Sequence, residues 1–138
     1  MPIWLLKTEP AVYSYADLER DGTTMWDGVT QPHALQNLRK VQRGDTALIY
    51  HTGDERAVVG IATVTRGYYV NPEHDDPKLA VCDVQAQKRL PRSVTLAQIK
   101  AHPALKDWDL VRLARLSVVP VSEEQWRIVQ EMAGEVKS

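Results

Sequence analysis

Three segments in the middle of the chain alternate between apolar and polar residues, and this period of two constrains the fold more than any other feature. They cover residues 46–51, 57–66 and 79–90. Alternation of this kind puts successive side chains on opposite faces of a β-strand. No regular crossover helices separate the three segments, so the pattern argues against a doubly wound parallel sheet. Gly60, inside the second segment, predicts a bulge or a close approach of another group.

Two further strands and several short helices complete the predicted secondary structure. Residues 3–7 and 116–121 are short apolar runs at the two ends of the chain. Capping motifs predict helices that begin after Ser14, Thr95 and Ser122, and another helix opens around Pro32. About five strands with short helices at their junctions predict the α+β class, as a small mixed, partly closed β-barrel with short peripheral helices. We expect one domain over residues 1–138.

Length and composition exclude several classes of protein. The 138 residues, 43% of them hydrophobic, are enough to bury a core without disulfides. The one cysteine, Cys82, leaves no intrachain disulfide and no cysteine-rich zinc site. No apolar run approaches the ~20 residues of a membrane helix, and the N-terminus has no signal-peptide pattern. We expect a protein of the cytoplasm, or of the nucleus if eukaryotic, that has no membrane contact and is preferentially monomeric.

The charges are balanced overall but unevenly distributed. Seventeen basic and eighteen acidic residues give a net charge of −1. Residues 28–44, 84–106 and 110–122 contain bases and no acid. If these stretches share a face, they form a positive surface that attracts nucleic acid; otherwise they are ordinary solvated faces. The candidate contacts to a nucleic-acid backbone are Arg39, Lys40, Arg43, Lys88, Arg89 and Arg92.

The aromatic residues favour a site for a flat ligand. The chain has four tryptophans and five tyrosines but no phenylalanine. Trp26 lies in a polar, glycine-flanked segment, and Tyr50 with His51 closes a strand. A ring with a polar edge both stacks and hydrogen-bonds, which suits a nucleobase. The alternative for Trp26 is a core residue that caps the barrel.

Catalytic and metal-binding patterns are weak. A nucleophile and base could be formed by Cys82 with His51 or His74, or by Ser117 with His51. However, Cys82 falls on the apolar side of a predicted strand, and no nucleophile-elbow glycines surround Ser117. Residues 73–76 and 51–55 lack a known metal-ligand spacing, and no glycine-rich phosphate loop is present. We expect no catalytic residues, no metal and no cofactor.

Six short motifs follow one another along essentially the whole chain. They are residues 4–10 (WLLKTEP), 26–29 (WDGV), 50–52 (YHT), 60–62 (GIA), 110–112 (LVR) and 115–118 (RLSV). In order and spacing they resemble the EVE domain family of PUA-like β-barrels.

The resemblance implies a non-enzymatic domain whose pocket accepts a modified base, either modified cytosine in DNA or a modified RNA base. It implies that Trp26 supplies the aromatic face and that the carboxylate of Asp27 or Glu9 accepts a hydrogen bond from an exocyclic amino group. The other positions it places around the base are Lys7, Thr8 and Glu9 on the polar edge, Tyr50, His51 and Thr52 on a neighbouring wall, and Arg115 and Ser117 on the last strand.

One segment departs from the family pattern. Residues 30–36 read TQPHALQ where the family usually has RNYQARN, and Leu79 stands where tryptophan is common. The loss of two arginines and an aromatic residue predicts weaker phosphate contact and stacking, or a compensating contact from His33. Two other functions stay open. One is a sensor of a small molecule or free nucleoside in the same pocket, and the other is a hydrolase.

Overall fold

One six-stranded mixed sheet organises the structure, a computed structural model that describes residues 2–134. Its order is β2-β5-β4-β3-β1-β6. β1 is parallel to β3, and every other neighbouring pair is antiparallel. The strands are β1 (Ile3–Thr8), β2 (Thr23–Trp26), β3 (Thr46–His51), β4 (Ala57–Val70), β5 (Ala80–Thr95) and β6 (Val118–Val121).

Short helices connect the strands, and three of them begin at the predicted residues. Ser14, Thr95 and Ser122 each accept the backbone N–H of the residue three positions on, whose side chain bonds back. This reciprocal pairing satisfies two donors that a helix N-terminus otherwise leaves free. The helices are α1 (Tyr15–Asp21), α2 (Pro32–Leu38), α3 (Leu96–Ala101), α4 (Asp109–Arg112) and α5 (Glu123–Met132), with a 3₁₀ turn at Pro103–Leu105.

The α+β class is confirmed, but the predicted partly closed barrel is wrong because the sheet stays open. Within residues 2–134 the edge strands β2 and β6 do not pair with each other. Helix α2 packs against β6 instead, and the Asn37 amide donates to the Val118 carbonyl at 2.8 Å. A helix therefore satisfies the edge that barrel closure would have paired. The sequence analysis also missed β2 as a strand, since its residues Thr23–Trp26 do not alternate in polarity.

Strands β4 and β5 are longer than predicted, because they continue through irregular pairing. They pair from Ala57↔Thr95 to Val70↔Ala80, with several register shifts between. Bulges of this kind bend a sheet and increase its twist. The bent β4–β5 pair lies between β3 and the edge strand β2.

The predicted close approach at Gly60 is confirmed. The ring of Tyr15, the first residue of α1, lies against this glycine, so a Cβ there would be 2.4 Å from Tyr15 Cε1. The Tyr15 hydroxyl donates to the Ile61 carbonyl at 2.7 Å. Gly60 thus allows α1 to lie directly on β4.

The end of β1 gathers the segments that the sequence analysis assigned to a site. Because β1 and β3 are parallel, Lys7 pairs with Tyr50 and both strands end together. The Thr52 amide donates to the Thr8 carbonyl at 2.9 Å, and the Lys7 amide donates to the Ser117 carbonyl at 3.0 Å. Three distant parts of the chain therefore meet at one edge of the sheet.

Candidate nucleic-acid interface

Two clefts open at the end of β1, and Lys7 and Thr8 form the wall between them. The smaller, of about 220 Å³, is called here the indole cleft; its other lining residues are Val12, Tyr13, Thr24, Met25, Trp26 and Asp27. The larger, of about 450 Å³, is called the cationic cleft; its other lining residues include Glu9, Tyr50, Thr52, Arg56, Lys100, Arg115 and Ser117. The single pocket that the sequence analysis predicted is thus divided in two.

Trp26 is both a core residue and a wall of the indole cleft. Only 6% of it is exposed, and it ends β2 opposite Cys82. Tyr13 packs edge-on against it, with ring centroids 6.3 Å apart and an interplanar angle of 86°. Both alternatives for Trp26 therefore hold in part, because the indole is packed into the protein and a cleft opens beside it.

The polar groups of the indole cleft include one free carboxylate. Asp27 is exposed, and within residues 2–134 its side chain has no hydrogen bond or ion pair. Gly28 follows it at φ +82°, a conformation that turns the chain away from β2. The Thr8 hydroxyl is already used, since it donates to the Tyr13 carbonyl at 2.6 Å. Asp27 is left as an available hydrogen-bond acceptor next to two aromatic rings.

Tyr13 is the aromatic partner that the sequence analysis missed. The family resemblance implies that Tyr50 forms the wall next to Trp26, but Tyr50 lies on the other side of Lys7 and Thr8 and is 3% exposed. Tyr13 belongs to the loop between β1 and α1, where no periodicity marks a residue as facing inward or outward. Its hydroxyl donates to Asp21 at 2.9 Å, which fixes the ring beside Trp26.

The cationic cleft holds predicted and unpredicted residues together. Lys7 Nζ lies 5.5 Å from the centroid of the Tyr50 ring and donates to the Ala114 carbonyl at 2.8 Å. Burial lowers the pKa of the Lys7 ammonium below its ordinary value. Arg56, which was not predicted, and Lys100, which lies in the acid-free basic stretch of residues 84–106, add two more cations. Arg56 adopts φ +43°, and nothing in the local sequence marks it.

The structure gives His51 a structural position, and it lines neither of the two clefts. It is 6% exposed, its Nε2 accepts the Tyr15 amide at 3.0 Å, and its Nδ1 lies 2.7 Å from Glu55 Oε1. Because an amide can only donate, Nε2 is unprotonated and Nδ1 donates to the carboxylate. Both ring nitrogens are used, so His51 is not free to act as the base for Ser117 or Cys82.

The other candidates for chemistry are placed without a reactive arrangement. Cys82 is buried, and burial together with the charges of Asp83 and Asp45 raises the pKa of its thiol to about 12. A thiol of that pKa carries almost no thiolate at neutral pH. In the part of the chain that the structure describes, no group of three or more His, Cys, Asp or Glu residues is placed to hold a metal ion.

The six predicted backbone contacts line neither cleft, and several are engaged elsewhere. Arg89 pairs with Glu19 at 2.7 Å, and Arg39 donates to the Lys78 carbonyl at 2.8 Å. All six are exposed, including Lys40, Arg43, Lys88 and Arg92. Of the acid-free stretches, residues 28–44 place no cation in these two clefts, whereas Lys100 and Arg115, from residues 84–106 and 110–122, line the cationic cleft.

The segment that departs from the family pattern lies elsewhere. Thr30, Pro32, Leu35 and Gln36 line a third cleft of about 590 Å³, to which Leu79 also belongs. This cleft shares no lining residue with the indole or cationic cleft. His33 is exposed on α2 and lines none of the three. The departing segment therefore lines neither the indole cleft nor the cationic cleft.

Comparisons with known proteins agree with this fold. The EVE domain family matches residues 2–132. Human thymocyte nuclear protein 1 is 30% identical over 160 aligned residues, covering 91% of this chain and 71% of the relative. The NMR structure of Rpa0253 from Rhodopseudomonas palustris superposes with a TM-score of 0.94 at 36% identity, covering 100% of this chain and 97% of the other.

Two further structures are informative. Human THYN1, solved in complex with DNA containing 5-methylcytosine, superposes with a TM-score of 0.88 at 28% identity, covering 99% of this chain and all of that one. A mutant ASCH protein from Zymomonas mobilis shares the fold at a TM-score of 0.58 and 12% identity, covering 94% of this chain and 97% of that one. None of the helices formed by residues 2–134 has the length and apolar character to cross a membrane.

Proposed function

The chain belongs to the EVE domain family, and we propose that it binds nucleic acid by taking a modified cytosine into the indole cleft, without a chemical step. The observation that carries the proposal is the opening beside Trp26, where two aromatic rings meet the free carboxylate of Asp27. The complex of human THYN1 with 5-methylcytosine DNA supports the choice of base.

The residues of the indole cleft match the chemistry of the base. Trp26 and Tyr13 stand almost perpendicular, so a base that stacks on the face of one ring meets the other ring edge-on. Stacking contributes about 1–3 kcal/mol per base. Asp27 accepts a hydrogen bond from the exocyclic amino group that cytosine carries. Val12 and Met25 supply apolar surface for a methyl group, whose burial adds about 1 kcal/mol, or about fivefold in affinity.

The base has to be outside a helical stack to reach this cleft. Extruding a base from a duplex costs a few kcal/mol, and less at an unpaired or damaged position. We therefore expect tighter binding to a single strand or a mismatched duplex than to a fully paired duplex. A titration of single-stranded oligonucleotides with and without 5-methylcytosine tests the proposal, and equal affinity for the two would overturn it.

Replacing Asp27 by alanine should weaken binding of the 5-methylcytosine oligonucleotide about tenfold, since a hydrogen bond to a charged group is worth about 1.5–3 kcal/mol. The direction of the change in affinity is informative, because removing a negative charge from the protein by itself strengthens binding to a polyanion. Asp75→Ala is the matched control: it removes the same charge from an exposed loop and should bind as tightly as the parent or slightly more tightly. A gain in affinity for Asp27→Ala would contradict the assigned role.

Trp26→Phe should lower affinity about fivefold, because a smaller ring stacks less and lacks the indole N–H. Phenylalanine is preferred to alanine, since Trp26 is 6% exposed and its truncation would open a cavity in the core. Trp126→Phe, at a half-buried position that lines neither cleft, is the control and should leave affinity unchanged. Once melting curves show that both variants are folded, isothermal titration calorimetry measures their affinities for the oligonucleotide. Unchanged affinity for Trp26→Phe would exclude stacking on this ring.

A further inference from the structure

Three cations of the cationic cleft have no partner in the part of the chain that the structure describes. Arg56, Lys100 and Arg115 are exposed and make no side-chain hydrogen bond or ion pair with residues 2–134. The acidic residue in the lining of this cleft is Glu9, and Arg56 and Lys100 also line an adjoining cleft that contains Asp54 and Glu55. The Glu9 carboxylate already accepts from the Thr52 hydroxyl at 3.2 Å and from the Ala11 amide at 3.3 Å.

What distinguishes these three cations is that they line one cleft together. Within residues 2–134, other exposed cations such as Lys40, Arg43 and Lys106 also lack an ion pair but line neither cleft, whereas several arginines are paired. Arg20, Arg89, Arg112 and Arg127 each lie within 4 Å of a carboxylate oxygen. Cations left unpaired around one concavity repel one another, and the charge is neutralised most simply by an anionic ligand.

The backbone segments that carry these cations are tied to one another. The Leu96 amide at the start of α3 donates to the Arg56 carbonyl at 2.8 Å. The loop before Arg56 is joined to β1 by the Thr52–Thr8 bond, and the segment after Arg115 by the Lys7–Ser117 bond. The cations therefore extend from fixed backbone positions, which reduces the conformational entropy lost on binding.

We propose that the cationic cleft binds the phosphate backbone of the same polynucleotide whose base enters the indole cleft. The inference rests on the proposed function for its choice of ligand, since Lys7 and Thr8 line both clefts and place a neighbouring nucleotide unit beside Arg115. A guanidinium matches two phosphate oxygens with parallel N–H donors, and an ammonium adds a point charge. This proposal assigns the phosphate contacts to Arg56, Lys100 and Arg115. The sequence had predicted these contacts at Arg39–Arg43 and Lys88–Arg92.

The test compares two triple variants with the same loss of charge. The first, called here the cleft variant, carries Arg56→Gln, Lys100→Gln and Arg115→Gln. The control carries Lys78→Gln, Lys106→Gln and Arg127→Gln, exposed positions that line neither cleft. Affinity for a single-stranded oligonucleotide with one 5-methylcytosine is measured at several salt concentrations, after thermal melts show both variants folded. Arg115→Gln alone provides a milder variant should the triple variant melt early.

In the cleft variant, the slope of log affinity against log salt should become shallower by about 2, because each lost phosphate contact removes about 0.7 on single strands. Affinity at low salt should fall at least thirtyfold, while the preference for 5-methylcytosine over cytosine stays the same. The control should keep the parental slope. A parental slope in the cleft variant would overturn the inference.

The source of the phosphate is tested with 5-methyldeoxycytidine, its 5′-monophosphate and inorganic phosphate. We expect the nucleoside to bind the parent and the cleft variant equally. Inorganic phosphate could instead bind the parent tightly and fail to bind the cleft variant, while the salt dependence of oligonucleotide binding stays parental. That result would make the cleft a site for free anions and overturn the inference. If the parent fails to prefer 5-methylcytosine and the cleft variant still flattens the slope, the proposed function is wrong and backbone binding stands.

Discussion

Replacing Gly60 by alanine should destabilise the protein by about 3 kcal/mol, the upper range for overpacking a core, and lower the melting temperature by about 10 °C. The new Cβ would lie 2.4 Å from Tyr15 Cε1 and 2.6 Å from Cζ. The ring cannot move aside easily, because Tyr15 is completely buried and its hydroxyl is bonded to the Ile61 carbonyl. Its amide is bonded to His51 at the other end. Differential scanning calorimetry of the purified variant measures the effect.

Gly22→Ala is the matched control for this prediction. Gly22 has φ +78°, and no atom lies within 4 Å of a Cβ built on it. Alanine there meets no atom, and its cost is purely conformational: φ +78° with ψ −64° lies outside the left-handed helical region, so we expect a loss of about 1–3 kcal/mol that does not depend on Tyr15. A double variant of Gly60→Ala with Tyr15→Ala should show less than the sum of the two single losses, since the clash is gone, whereas Gly22→Ala with Tyr15→Ala should be additive. Additive losses for Gly60→Ala and Tyr15→Ala would show that the ring is not the cause.

The secondary structure was predictable where one local signal dominates. The capping motifs at Ser14, Thr95 and Ser122 fixed three helix starts, because a cap is satisfied within four residues. The end of β4 and the openness of the sheet were not predictable. Both depend on contacts between distant segments, such as the bond from Asn37 to Val118, and no local pattern encodes them.

The candidate site was predicted in composition but not in arrangement. Trp26, Lys7 and Thr8 do line a cleft at the end of β1. Tyr50 has the same kind of aromatic side chain as Tyr13, and sequence alone offers no means to tell which of them faces Trp26. The choice follows from the parallel pairing of β1 with β3, which puts Tyr50 beside Lys7 on the far side of the wall. The family resemblance implies one pocket for these residues, whereas the register of the sheet divides them between the indole cleft and the cationic cleft.

Replacing Asp45 by alanine should destabilise the protein by at least about 3 kcal/mol, because two buried donors would lose a charged acceptor. Asp45 is completely buried, and its Oδ2 accepts from the Trp4 indole N–H at 3.0 Å and from the Gln42 amide at 2.9 Å. The bond to Trp4 joins β1 to the turn that precedes β3. Chemical denaturation followed by tryptophan fluorescence measures the loss, and Asp54→Ala, at an exposed loop position, should leave the midpoint unchanged.

The loss of stability expected for Asp45→Ala is the result of two opposing contributions. Its second oxygen, Oδ1, is buried and has no hydrogen-bond partner among residues 2–134, so the native carboxylate carries an uncompensated desolvation cost. Asp45→Asn keeps an oxygen for Trp4 and Gln42 and removes the buried charge, but it puts an amide NH2 without an acceptor where Oδ1 stood, so we expect an intermediate loss of about 1–2 kcal/mol. Trp4→Phe removes one donor, and combined with Asp45→Ala it should cost less than the sum of the two single changes. Full additivity would mean that the Trp4–Asp45 bond does not hold β1, and hence the wall between the two clefts, in place.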